Sequence, residues 1–132
     1  MKKKIISEPP IIEYGSFTFE ESNYERGNKR WMATTLLRAC NDQGLEPFEY
    51  PLACYDMSSK YFPLNNMDDF VWQMKRCMNS DYNIPIILDN FGNVCDGNHR
   101  ICKAILEGKR TILAYRLQYM PEPDFIKDST NE

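Results

Sequence analysis

The run over residues 84–117 constrains this chain more than any other, because five short patterns follow one another there with almost nothing between them. Ile84-Pro85-Ile86-Ile87-Leu88 is a continuous apolar stretch rich in β-branched residues, the pattern of a buried strand. Asp89-Asn90-Phe91-Gly92-Asn93 has the composition of a tight reversal, with positive φ available at Gly92. Val94-Cys95 then reads as the returning strand of a hairpin, which Asp96-Gly97 breaks. Ile101, Ala104 and Ile105 recur at i, i+3 and i+4 and predict a helix with one apolar face, stopped at Gly108. Thr111 to Leu117 is the closing strand. Gly97-Asn98-His99-Arg100 therefore falls where a strand turns into a helix N-terminus, the end that offers unpaired N–H groups and the positive end of the dipole. On that reading Gly97 lets a ligand approach the backbone, while Asn98, His99 and Arg100 surround the same point. The bland alternative makes Asp96 a helix cap, His99 a satisfied polar residue and Arg100 a surface cation.

The rest of the chain supports a single folded domain. With 132 residues, 42% hydrophobic and 13% aromatic, it has enough apolar surface for its own core. Residues 1–29 are weakly patterned and read as an extension, with a short strand over 16–19 and loop from Glu20 onward. Trp31, Met32, Thr35, Leu36, Ala39 and Cys40 form a helical stripe over residues 30–43, with Trp31 expected in the core and Gly44 as the stop. Residues 46–51 read as an extended connector and 52–57 as a strand. Asn66 is an N-cap for a helix over 67–78, with Asp68 and Asp69 near its positive end and Phe70, Val71, Met74, Cys77 and Met78 as its buried stripe. Residues 121–132, with Pro121 and Pro123, read as a tail.

Charge and cysteines narrow the function classes. A formal net charge of −3 gives no general basic footprint for nucleic acid, although Lys75, Arg76, Arg100, Lys103, Lys109, Arg110 and Arg116 leave room for a local patch. Five cysteines without a CxxC pair and a single histidine do not make a metal-ligand pattern, and reduced thiols are expected. The lysines at the start are not followed by an apolar segment, and no run approaches membrane-spanning length, so a cytoplasmic protein without membrane contact is expected.

The order of apolar strand, turn, D-G-N-H-R opening a helix, and closing strand resembles the ParB/sulfiredoxin superfamily, especially its small ParB-like members of bacteria and phages. The resemblance spans residues 50–119 and implies an α+β domain: a small mixed sheet with flanking helices, over residues 30–120, to which the 30–43 helix is an addition. Sulfiredoxins carry their catalytic cysteine where this chain has Asn98, so that activity is not expected. Partition ParB proteins have G-E-R-R, whose arginines hold CTP phosphates; Gly97 and Arg100 match, while Asn98 and His99 depart. No helix-turn-helix domain follows, so centromere reading is not expected. ParB-like free-serine kinases carry D-G-H-H-R, four of whose five residues stand here. Their basic glutamate is missing, since no Glu lies between Tyr50 and Leu88, and Asp56 is the nearest carboxylate.

What these families share is phosphate recognition. The resemblance thus implies a nucleoside di- or triphosphate, or another phosphorylated small molecule, at Gly97, Asn98, His99 and Arg100, with Mg²⁺ as an accompanying ion. Phosphotransfer or nucleotide hydrolysis, if the chain performs either, would fall to Asp56, Asp96 and His99. The alternative is a non-catalytic module contacting a protein or nucleic acid within a plasmid or phage gene set.

Overall fold

The computed structural model describes residues 8–14 and 22–128; the strand expected over 16–19 lies outside them. The described residues form two sheets. Strands β3 (Phe48–Pro51), β4 (Ile86–Leu88), β5 (Val94–Asp96) and β6 (Thr111–Arg116) form a four-stranded mixed sheet in the order β3-β6-β4-β5, in which β4 and β6 are parallel and the other pairs antiparallel. Strands β1 (Asn23–Arg26), β2 (Lys29–Met32) and β7 (Phe125–Ile126) form a smaller antiparallel sheet with β2 in the middle. Helices α1 (Ala33–Asp42), α2 (Met67–Met78) and α3 (Asn98–Leu106) flank them. The chain is a small α+β domain with a mixed sheet and flanking helices.

The continuous apolar run of β4 has a direct cause: the strand is buried on both faces. Ile86 and Leu88 point into a cluster with Tyr50, Leu52, Ile101, Ala104, Ile112 and Ala114, under α3. Ile87 points the other way, into a second cluster with Trp31, Leu36, Ala39, Cys40, Cys95 and Leu117, under α1 and β2. A strand covered on both faces loses the polar alternation of a half-exposed one.

Several elements depart from the sequence reading. The helix expected over 30–43 begins only at Ala33, because residues 29–32 pair with β1 and Lys29 and Arg30 also with β7. Trp31 is in the core, as expected, but it arrives there from a strand, 1% exposed, with its indole N–H donating to the Pro121 carbonyl at 2.7 Å. Residues 23–26, read as loop, pair with β2 across a two-residue reversal in which Gly27 takes φ 62°. Within residues 121–132, read as a tail, Phe125 and Ile126 pair with β2. Asp124 stands in for the side-chain cap that Met32 cannot supply to α1: its carboxylate accepts from the Met32 N–H at 2.7 Å and the Thr35 hydroxyl at 2.9 Å. The first strand of the larger sheet is residues 48–51 instead of 52–57; Leu52–Cys54 is a 3₁₀ turn. Its Pro51, lacking an N–H, fits the edge position that β3 holds.

Helix α2 matches its expected bounds, and Asn66 caps it by accepting from the Asp69 N–H at 2.8 Å. Its buried face differs from the expected one. Phe70, Val71 and Met78 are 48%, 38% and 70% exposed, whereas Gln73 and Cys77 are buried. The helix turns that face inward because its neighbour α3 presents polar and small side chains there, as described below.

Asp89 holds the two sheets together. It is 0% exposed, and its carboxylate accepts from the Tyr24 hydroxyl (2.8 Å), the Arg26 guanidinium (3.1 Å), the N–H groups of Phe91 (2.9 Å) and Asn93 (2.8 Å), and the Asn93 amide (3.4 Å). Burial pushes its pKa up, but the bonds from Asn93, Tyr24 and Phe91 outweigh that and hold the group below the usual carboxylate range. Such a group adds stability above the ordinary carboxylate pKa, and that contribution is lost as pH falls through its lowered value. Asp89→Asn should destabilise the fold by about 3–5 kcal/mol, because it leaves Arg26 half-buried without its counter-charge. Urea midpoints of both chains, measured from neutral pH into the acid range, check this: the wild type should lose more stability than the variant, and equal losses would refute the assignment.

Candidate functional site

The D-G-N-H-R turn forms as the sequence suggests: β5 ends at Asp96, Gly97 adopts φ 119°, and α3 begins at Asn98. The reason for glycine is different from the expected one. A Cβ at residue 97 would lie 2.3 Å from Ile86 Cγ2 and 2.7 Å from Ile86 Cβ. The open side of Gly97 is therefore filled by the core strand β4, and the residue lets the turn pack on that strand instead of admitting a ligand on that side.

Each polar side chain of the motif has a partner within the protein. Arg100 turns back along β4, donating to the carbonyls of Ile84 (3.1 Å) and Pro85 (2.9 Å) and pairing with Asp96 at 2.9 Å. Asp96 also accepts from the Ser22 hydroxyl at 3.1 Å. Asn98 accepts from the Tyr55 hydroxyl at 2.7 Å. His99 lies flat against Phe62, with ring centres 4.5 Å apart and planes 9° from parallel, and its Nε2 is 2.7 Å from Gln73 Oε1. With that oxygen as acceptor, Nε2 carries the proton.

Electrostatics follow from this enclosure. Burial, then the charges of Arg76 and Arg100 opposed by Asp96, push the His99 pKa down to about 4. At neutral pH the ring is uncharged, so it offers an anion no counter-charge. Asp56 does not join the group through any hydrogen bond. It lies exposed past the 3₁₀ turn, where it accepts from the Ser58 N–H (3.0 Å) and the hydroxyls of Ser58 (2.6 Å) and Ser59 (2.7 Å). The Ser58 hydroxyl first, then Ser59 and the Ser58 N–H, hold its pKa below the ordinary value, which makes it a poor base.

What the turn leaves open is main chain. Among the described residues, no acceptor meets the N–H groups of Asn98, His99 or Arg100; the next, that of Ile101, closes on the Gly97 carbonyl at 2.9 Å. Arg76, in the last turn of α2, is close enough to perturb His99 and has no ion-pair or hydrogen-bond partner among the described residues. These groups suit a phosphate. For Mg²⁺ the fit is poorer: among the described residues no three His, Cys, Asp or Glu side chains converge, and Asp96, the carboxylate nearest the turn, is already engaged by Arg100 and Ser22.

Sequence reasoning missed Tyr55, Phe62, Gln73 and Arg76 as members of this group. Gln73 left a signal, since it sits one turn before Cys77 on a common face, and Arg76 was named with Arg100 only as part of a local basic patch. No helix among the described residues is long and apolar enough to cross a membrane. No family model, no curated protein and no solved structure matches the chain.

Two outcomes are expected. Gly97→Ala should destabilise by about 3 kcal/mol or more, from overpacking on Ile86 and positive φ together, read as a fall in the urea midpoint. The His99 ring, followed by NMR, should show no titration between about pH 5 and 8. An unfolded histidine titrates near 6.5, so this ring's contribution to stability is complete above about pH 6.5 and declines as pH falls toward 4. A titration midpoint of about 6 to 7 in the folded chain would contradict the enclosed, neutral ring.

Proposed function

We propose that the chain is a ParB-like phosphate- or nucleotide-binding domain of the ParB/sulfiredoxin type, with its anion seat on the main chain at the start of α3. The observation that carries this reading is the set of N–H groups of Asn98, His99 and Arg100, which have no acceptor among the described residues at the positive end of a nine-residue helix. Arg76 supplies the cation of the seat. Arg100 instead fixes the turn from behind, through Ile84, Pro85 and Asp96. The order β3, α2, β4–β5 hairpin, α3, β6, with D-G-N-H-R at the strand-to-helix turn, supports the family assignment.

The domain binds without turning over. With the His99 pKa pushed down to about 4, Asp96 ion-paired and Asp56 held by serines, none of these three is a strong base, so kinase and hydrolase chemistry are not part of the reading. Calorimetry with ATP, ADP, CTP and inorganic pyrophosphate, each with and without Mg²⁺, tests it. Binding at millimolar concentration or below should require the phosphates and fail with the bare nucleoside. Arg76→Ala should weaken it about tenfold, the loss of one charge-assisted contact. Asp56→Asn should leave it unchanged. If no phosphorylated ligand binds at millimolar concentration, the chain is better read as an interaction module in which the motif serves architecture alone.

A further inference from the structure

Helices α2 and α3 meet along a seam whose contacts step forward together. Gln73 Oε1 faces His99 Nε2 at 2.7 Å. Further along, just past the end of α2, the Ser80 carbonyl accepts from Lys103 Nζ at 2.8 Å. Between these two ties, one turn beyond Gln73 and one turn beyond His99, stand Cys77 and Cys102. Because Gln73 lies against His99 and Ser80 against Lys103, Cys77 and Cys102, each between those ties, face one another across the seam, close enough for the two thiols to perturb each other. Cys77 is buried and Cys102 partly exposed, and all five cysteines of the chain are free.

We propose that Cys77 and Cys102 form a redox latch, closing into a disulfide that joins α2 to α3 when the chain meets a hydroperoxide. Exposure sets the order of events. The partly exposed Cys102 sulfur attacks the terminal peroxide oxygen; an S–O bond forms, the O–O bond breaks, and the alcohol leaves with the thiol proton. The Cys77 sulfur then attacks the sulfenic sulfur; the S–S bond forms, the S–O bond breaks, and hydroxide departs as water with the Cys77 proton. The two electrons lost by the sulfurs are those that reduce the peroxide. Burial, and then the contact with Cys102, push the Cys77 pKa up to about 12. Cys77 is thus inert as a first target, and it is its place beside Cys102, not its reactivity, that makes it the resolving partner.

The latch lies next to the Gln73–His99 contact, so closing it fixes the wall of the α3 turn. It does not depend on any ligand being bound there, and its test is separate from the binding test. The full chain is treated with a slight excess of hydrogen peroxide at low protein concentration and then mapped by mass spectrometry without reduction. A peptide pair joined through Cys77 and Cys102 is expected, two hydrogens lighter than the reduced pair. The thermal midpoint should rise by about 10 °C and return on reduction, since the bridge closes a loop within the chain. Cys102→Ser should abolish both changes. Cys77→Ala should leave Cys102 as a sulfenic acid that dimedone traps. The proposal is overturned if the thiol count does not change, if Cys102 is oxidised in the wild type without the bridge, or if the bridge found joins Cys54 instead.

Discussion

A single buried carboxylate, Asp89, sets the terms for the rest of this fold. A carboxylate removed from water carries a desolvation cost of several kcal/mol unless donors surround it. Here the β4–β5 turn supplies the N–H groups of Phe91 and Asn93, and strand β1 supplies Tyr24 and Arg26. Neither set alone completes the shell. The turn takes its shape from one half, and the small sheet takes its seat on the large one from the other. Arg26 also reaches across the aromatic faces of Trp31 and Phe91, at 5.7 and 4.8 Å from their centres, so the charge that balances Asp89 is itself held by the core and the turn. An apolar residue at 89 could fill the volume but could not join these parts in one geometry.

The same logic explains the D-G-N-H-R turn. Its side chains look like ligand-binding equipment in the sequence, yet they are turned to the protein: Arg100 to β4, Asn98 to Tyr55, and His99 between Phe62 and Gln73. Those ties fix where the first N–H groups of α3 point. A site made of main chain is fixed by what surrounds it, and its specificity has to come from neighbours such as Arg76 or from shape. In the arrangement we propose, the motif builds the seat, and the seat itself is anonymous backbone.

The elements most legible in the sequence were those decided by local pattern. The β4 run, the reversal at Gly92, the helix from Asn98 and the Asn66 cap all form where spacing and turn chemistry put them. What was illegible depended on distant partners. Residues 29–32 have a helical stripe, but two flanking strands claim their backbone, and one of those strands lies more than ninety residues later in the chain. The buried face of α2 was assigned to its most apolar residues, whereas its neighbour selected Gln73 and Cys77, because His99 had to have an acceptor. Asp89 read as an ordinary turn residue, since nothing local shows that Tyr24 and Arg26 come to meet it. In the site, the positions of the motif residues were readable and their partners were not.

The Asp124 cap and strand β7 bear on how the chain reaches this state. Helix α1 has no cap within its own neighbourhood, and β2 has only one of its two partners nearby; both deficits are made good by residues close to 125. The β1–β2 hairpin and α1 therefore lack these ties until residues 124–126 are in place. Long-range closures of this kind slow folding, because the entropy of bringing the ends together is spent before the contacts that reward it exist. Meanwhile the β4–β5 hairpin, α3 and β6, whose contacts are local, can form early. By that logic the topology favours early assembly around the α3 turn and late docking of strands β1 and β2.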